Sequence, residues 1–288
     1  MGPRLKIVAC AALFSTGGAA IKFVSVDAWG VAGLRSGIAA LALVLFLPAA
    51  RRRWSGPVLL VGAAYAATYI LFVAANKLTT AANVIFLQAT SPLYVSLLGI
   101  WWLKEPVRRR DLWVLAAIVA GLALCLAGTE APLASAPNPR LGNLLSIATG
   151  VTFALGIVGL RWRGARGDGG EALSVVVAAN TMAFLFCLPW AWPIRPAPVD
   201  WAVLAYLGVF QIGLAYALLA SGIRHVTALE ASLLLLIEPA LNPVWAWLVQ
   251  GERPGAASVA GGVLILGATA WKSARGRARE MRGVNDAA

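Results

Sequence analysis

The sequence predicts an all-α polytopic membrane protein: ten transmembrane helices arranged as two inverted five-helix repeats, with both termini cytoplasmic. Three observations carry that prediction. Of 288 residues, 60% are hydrophobic and only 12% charged, with a mean hydropathy of +0.79, whereas soluble domains carry roughly a quarter charged residues. The apolar residues fall in runs close to the roughly 20 residues that a helix needs to cross about 30 Å of hydrocarbon. The basic residues fall between those runs, mostly in alternate connections, as membrane topology requires.

Ten such runs follow one another at about 7–26, 29–50, 57–76, 80–103, 112–128, 142–161, 172–192, 201–222, 228–250 and 256–272. Runs this long and apolar on every face are neither strands nor soluble helical repeats. The connections carry the breakers: Arg51 to Arg53, Lys104-Glu105-Pro106, Pro137-Asn138-Pro139, Gly164 to Gly170 and Pro193 to Pro198. The first run follows Arg4 and Lys6 and passes Gly18-Ala19-Ala20, which resembles a signal peptide with its cleavage site. Its apolar character continues to Val24 and Val26, so an uncleaved first helix is expected. Residues 273–288 are polar and are expected to form a mobile cytoplasmic tail.

Orientation comes from the Lys and Arg count. Arg4, Lys6, Arg51 to Arg53, Lys104, Arg108 to Arg110, Arg161, Arg163, Arg166, Arg224, Lys272, Arg275, Arg277, Arg279 and Arg282 lie on one side, 18 of the 24 basic residues. That side is assigned to the cytoplasm. Lys22, Arg35, Lys77, Arg140, Arg195 and Arg253 lie opposite or within the membrane. Tryptophans such as Trp29, Trp54, Trp101, Trp113, Trp190 and Trp201 stand near span ends, as an interfacial belt does. The net charge of +12 therefore reflects topology, and nucleic-acid binding is not expected, because it needs a basic face on a soluble domain. Cys10, Cys125 and Cys187 stand singly in apolar runs without metal-ligand spacing and read as small buried hydrophobes.

Sliding the chain on itself by 147 residues aligns Tyr69 with Tyr216, Leu71 with Leu218, Thr80 with Thr227, Ala81 with Ala228, Leu87 with Leu234, Pro92 with Pro239 and Glu105 with Glu252. Lys77 meets Arg224, a match in charge. The shift advances the chain by five spans, an odd number, so each helix would be inverted relative to its partner. The expected units are residues 1–135 and 140–272. Inverted repeats of this kind recur in secondary transporters, which place the substrate between the halves near the midplane.

Several midplane residues are candidates for function. Pro92 and Pro239 stand near the centres of spans four and nine, where proline kinks a helix and frees carbonyls. They read either as walls of a flexing cavity or as plain bundle-shaping residues. Glu238 stands beside Pro239, where a carboxylate is costly in hydrocarbon. It reads either as a proton-coupling or amine-binding group, or as a hydrogen-bonded strut. Lys22, Arg35 and Lys77 stand toward span ends and are expected to snorkel or pair helices, with contact between Lys22 and a substrate carboxylate as the other reading. Tyr65 and Tyr69 share one helix face at a spacing of four. With Phe86, Gln88, Phe153, Gln211 and Tyr216 they are the expected substrate-facing set, against the alternative of helix–helix hydrogen bonding. Gly33-x-x-x-Gly37 and Gly261, Gly262 and Gly267 permit close helix approach. No nucleotide-hydrolysis motif is present, His225 stands alone, and an enzyme is not expected. Neither a cofactor nor a metal is expected.

The segments SPLYVSLLGIWWLKEPVRRRDL (91–112) and EPALNPVWAWLVQGERPGAAS (238–258) each carry a mid-helix proline, an apolar run and a Glu before the fifth helix of a repeat. In this the chain resembles the drug/metabolite transporter superfamily, specifically its ten-helix EamA-type members, over about residues 5–272. Arg35 also matches a position where that family often has Arg. Within the superfamily the chain looks most like YddG-like bacterial exporters of aromatic amino acids. The resemblance implies a protein of the bacterial inner membrane that exports small amphipathic metabolites by alternating access, with Tyr65, Tyr69, Phe86 and Gln88 facing substrate; the glycine contacts read as lying within one subunit, so a monomer is expected. A drug, cation or nucleotide-sugar carrier of the same superfamily is the alternative, and a non-transporting scaffold or lipid-modifying enzyme a more distant one.

Overall fold

The structure is a computed structural model that describes residues 1–51, 54–103, 111–128, 132–164, 170–222, 225 and 234–285. Among these residues regular structure is entirely helical, with one isolated bridge between Leu133 and Ala136. Seven helical stretches are long and apolar enough to cross a membrane: Pro3–Phe23, Ala28–Phe46, Gly56–Leu78, Ala81–Trp102, Pro139–Leu160, Ala172–Ala191 and Pro198–Leu219. They coincide with seven of the ten expected spans. Leu112–Ala127 and Ala256–Trp271 are apolar but shorter. The run at 228–250 lies partly outside the described residues, as do Glu105 and the matched residues Arg224, Thr227 and Ala228. The exterior suits lipid: Trp101 is 89% exposed and Trp113 81% exposed, surfaces that water would penalise.

In chain order the helices are α1 (Pro3–Ser15), α2 (Gly17–Phe23), α3 (Ala28–Phe46), α4 (Gly56–Leu78), α5 (Ala81–Gln88), α6 (Ser91–Leu98), α7 (Asp111–Ala127), α8 (Pro139–Gly164), α9 (Gly170–Ala191), α10 (Pro198–Ala205), α11 (Ala215–Gly222), α12 (Ile237–Gln250) and α13 (Ala256–Asn285). A π-helical stretch, Tyr206–Leu214, joins α10 to α11, and another, Gly99–Leu103, follows α6. The starts are chemically legible. Asp27 caps α3 by accepting from the Gly30 N–H at 2.7 Å, and Thr80 caps α5 through the Asn83 N–H at 3.3 Å. Prolines open α1, α4, α6 and α10, where the missing N–H costs no hydrogen bond. The chief packing pairs are α4 with α8, α3 with α9, α7 with α13 and α4 with α9.

Three spans are interrupted near their middles. The first breaks at Thr16, between α1 and α2; the fourth at Ala89-Thr90, between α5 and α6; the ninth turns at Leu236, just before α12. Pro92 therefore occupies the first turn of α6 instead of kinking a continuous helix, and the Leu93 N–H bonds back to the Thr90 carbonyl at 2.9 Å. Pro239 likewise stands in the first turn of α12. Within that helix the internal proline is Pro243, whose ring leaves the Pro239 carbonyl without its helical donor. The last helix also departs from expectation: α13 continues to Asn285. The residues after 272 are mostly Ala, Arg, Glu and Met, all strong helix formers, so polarity there does not end the helix.

Candidate functional site

Two polar assemblies lie inside the bundle. The first is an aromatic cluster contributed by α1, α4, α8 and α11. Tyr65 and Tyr69, one turn apart on α4, are 7% and 8% exposed. Their rings are 6.3 Å apart, and Phe153 of α8 meets Tyr65 edge-on at 5.9 Å. Gly156 makes room for this contact, because a Cβ there would lie 2.7 Å from the Tyr65 ring. The Tyr69 hydroxyl meets that of Tyr216 at 3.2 Å, and Phe14 packs edge-on against Tyr216 at 5.2 Å. Thr68 donates to the Thr152 hydroxyl at 2.9 Å, bracing α4 on α8.

The expected substrate-facing set divides here. Tyr65, Tyr69, Phe153 and Tyr216 come together. Gln211 lies in the π-helical stretch, against the α1–α2 break, where its Nε2 reaches the Phe14 carbonyl at 3.5 Å and its Oε1 is buried without a partner. Gln88 ends α5, with its Oε1 buried and unpartnered. Phe86 is elsewhere. It packs among Ala82, Ile85, Leu87, Cys125 and Ile265, over Gly262, where a Cβ would come within 2.6 Å of its ring. Residues two apart on a helix point about 200° apart, so Phe86 and Gln88 do not share a face. Glu238 stands in the first turn of α12 without a hydrogen bond or ion pair among the described residues.

The second assembly is a buried polar network that joins the C-terminal ends of α2, α4 and α12 to the start of α5. The Lys22 ammonium forms an ion pair with Glu252 at 2.8 Å, with both side chains almost wholly buried. Its remaining donors reach the carbonyls of Thr79 at 2.7 Å and Ser135 at 2.5 Å, which uses all three N–H groups. Glu252 also accepts from the Ala81 N–H at 2.9 Å, so it caps the positive end of α5. Gly251 makes that placement possible. Its φ of 70° turns the chain left-handedly at the end of α12, a conformation that suits glycine. Around this core, Thr79 donates to Asn143 at 2.8 Å and Asn83 to the same oxygen at 3.3 Å. Ser25 binds Asp200 through both its N–H, at 2.9 Å, and its hydroxyl, at 2.5 Å, and Lys77 donates to the Val24 carbonyl. Lys22 therefore does not snorkel toward water but ties helices together, the pairing role, while the partly buried Lys77 spends one donor at the same end.

Sequence reading missed Asn76 and Asn180. Both are fully buried, and each spends its amide N–H on a carbonyl of its own helix, leaving its oxygen unpartnered. An isolated Asn in an apolar run was the available signal. Asn242 is also fully buried, with neither side-chain polar atom bonded. It faces Gly18, where a Cβ would lie 2.8 Å from its Oδ1.

A cavity of about 390 Å³ lies apart from the aromatic cluster. It is a cleft lined by Thr16, Ala19, Ala20, Phe23, Ala202, Val203, Tyr206, Trp245 and Val249. None of the expected substrate-facing residues lines it. Its two hydroxyl-bearing residues, Thr16 and Tyr206, bond to each other at 2.8 Å, so the cleft presents apolar surface and no charge.

Comparison with known proteins agrees with this architecture. A solved crystal structure superposes with a TM-score of 0.63 at 21% identity, covering 93% of this chain and 96% of its own, a likeness of fold. The chain is 29% identical to the pseudopaline exporter CntI from two strains of Pseudomonas aeruginosa, over 241 and 243 residues, 81% of this chain and 81% of those proteins. It is 24% identical over 202 residues to the uncharacterized transporter YetK of Bacillus subtilis, 65% of this chain and 60% of that protein. The model of the EamA-like transporter family matches residues 4–127 and again residues 140–273. The chain belongs to the EamA-like transporter family.

Proposed function

We propose that this protein is a secondary exporter of small amphipathic metabolites, amino acids with aromatic side chains foremost, working in the bacterial inner membrane as a monomer. In this reading residues 1–135 and 140–272 are inverted halves and residues 273–288 the cytoplasmic extension. Both termini face the cytoplasm. The two stretches matched by the family model and the 147-residue register of Tyr69 and Tyr216 support the division. Export is supported by the 29% identity to a protein named as an exporter.

The observation that carries the reading is the pairing of a buried aromatic cluster with a polar seal at one end only a few helical turns away. Alternating access needs an interior binding surface and a closure that can be exchanged between ends. Here Tyr65, Tyr69, Phe153 and Tyr216 supply the surface. Lys22 and Glu252 supply the closure, on the side that the charge count assigns to the periplasm. The breaks at Thr16 and Ala89-Thr90 divide two spans into short rods able to pivot, and Leu236 makes a turn just before α12.

Efflux from proteoliposomes loaded in turn with labelled Phe, Trp, Thr and a quaternary ammonium drug tests this. Release of Phe and Trp, inhibited by unlabelled Trp, is the expected result. Release of the cation alone would favour the drug-carrier reading, for which Glu238 is the natural contact. In the first case Tyr65→Ala should weaken Trp export more than Thr export.

A further inference from the structure

Among the described residues Arg35 has no counter-ion. It is the eighth residue of α3 (Ala28–Phe46), about 10 Å into the span by helical rise, and only 3% exposed. Its Nε is shut off from solvent without a partner. Among the described residues it makes neither a hydrogen bond nor an ion pair. At this level α3 packs through Val31, Leu34 and Ile38 against Ile70 and Val73 of α4, which brings Tyr69 to the same side. Among the described residues the Tyr69 and Tyr216 hydroxyls and the Cys187 thiol lie within electrostatic range, all neutral in their ordinary state near pH 7. The nearest acid in sequence, Asp27, is committed to the Gly30 N–H. The side chain has not snorkelled outward either. Gly208 of the π-helical stretch is pressed onto α3, so closely that a Cβ there would lie 2.9 Å from the Arg35 carbonyl.

A guanidinium held this way in a lipid-spanning bundle is a standing expense unless something anionic visits it. We propose that Arg35, together with the Tyr69 and Tyr216 hydroxyls, is the receptor for a single carboxylate on the transported molecule. The planar guanidinium offers two parallel N–H donors matched to the two oxygens of a carboxylate. The paired tyrosines hold one O–H between them and leave the other free to donate. One cation balances one negative charge, so a carboxylate is neutralised where a phosphate dianion would not be. Phe14 and Tyr65, packed on the same tyrosines, receive the apolar body. The inference rests on the transport reading above and names its substrate class: organic acids and zwitterions, in preference to amides, amines and neutral solutes.

Hydrocinnamate and its amide isolate the point, since they share a phenyl ring and differ in the charge. Equilibrium binding of each is measured on the full chain in lipid nanodiscs. The wild type should bind the acid about 10- to 100-fold more tightly than the amide, the range of a charge-assisted hydrogen bond. Arg35→Gln should bring the acid down to the affinity of the amide while leaving the amide unchanged, and Arg35→Lys should retain part of the preference. Equal binding of acid and amide by the wild type, a preference that survives in Arg35→Gln, or no binding of the acid would each overturn the proposal. Efflux separates this inference from the transport reading. Export of amide and acid alike sinks the carboxylate receptor and leaves a transporter. Acid binding through Arg35 without efflux of any solute leaves the receptor and sinks the exporter.

Discussion

The hydroxyls of Tyr69 and Tyr216 meet at 3.2 Å although the residues are 147 positions apart, the same interval that aligns the two halves of the sequence. Residues equivalent under a two-fold axis can touch only close to that axis. Their contact is what the proposed inverted pair of halves requires of residues near its axis, and in that proposal the aromatic cluster lies on the line between the halves. Tyr69→Phe and Tyr216→Phe should each cost about 1 kcal/mol of stability. The double variant should cost little more than either single one. Thermal unfolding in detergent reads this coupling, and strict additivity would mean that the two hydroxyls act independently.

The closure makes a second prediction. Removing one member of a buried ion pair strands the other, typically at about 3–5 kcal/mol. Lys22→Met and Glu252→Gln should therefore destabilise the sealed end. A cysteine placed at Ala136, which is 1% exposed, should then react faster with a membrane-impermeant thiol reagent. The double variant Lys22→Met/Glu252→Leu should recover much of the stability. Unchanged labelling in both single variants would show that Lys22 and Glu252 do not hold the end shut.

Gly18 gives a third. A methyl group there would meet Asn242 Oδ1 at 2.8 Å, Ala81 Cβ at 2.9 Å and Asn76 Oδ1 at 3.1 Å, which overpacks the crossing of α2, α4, α5 and α12. Gly18→Ala should cost roughly 1–3 kcal/mol and slow efflux. Normal efflux rates in that variant would mean that the crossing opens widely during transport.

Phe86 is expected to behave as a packing residue. Phe86→Ala should destabilise by about 3–5 kcal/mol through the cavity it leaves, while preserving the ranking of Trp over Thr in efflux. A changed ranking would return Phe86 to the substrate surface.

Glu238 is the candidate for coupling. Glu238→Gln is expected to leave folding intact and remove any dependence of efflux on a pH gradient. Gradient-driven efflux that persists in the variant would assign the carboxyl a structural role.

The spans were legible in the sequence because lipid tolerates no ambiguity about a 20-residue apolar run. The breaks within them were not. Thr16, Ala89, Thr90 and Leu236 continue the apolar pattern, and the prolines that follow two of these breaks read equally well as kinks in continuous helices. Tyr65 and Tyr69 were legible because their spacing puts them on one face. Phe86 and Gln88 stand in one span, but two residues of helix send them to different sides, and the sequence does not say which side packs on Cys125 and Ile265. Lys22 and Glu252 are 230 residues apart and carry no local sign of each other. Arg35 reads in the sequence as a snorkelling or helix-pairing cation, because a long flexible side chain near a span end fits those roles as well as an inward one, and only packing distinguishes them.

The Lys22–Glu252 pair is electrically neutral, so in the closed state the transmembrane voltage does no net work on it. In the proposed alternating-access cycle, opening would separate a positive charge carried by α2 from a negative one just past the end of α12. If the two part sideways, the field remains indifferent and transport is insensitive to membrane potential. If they part along the membrane normal, they act as gating charges. Each elementary charge moved through the whole field then involves about 2.3 kcal/mol per 100 mV, and the resting potential of the cell becomes part of what holds the end shut or pulls it open.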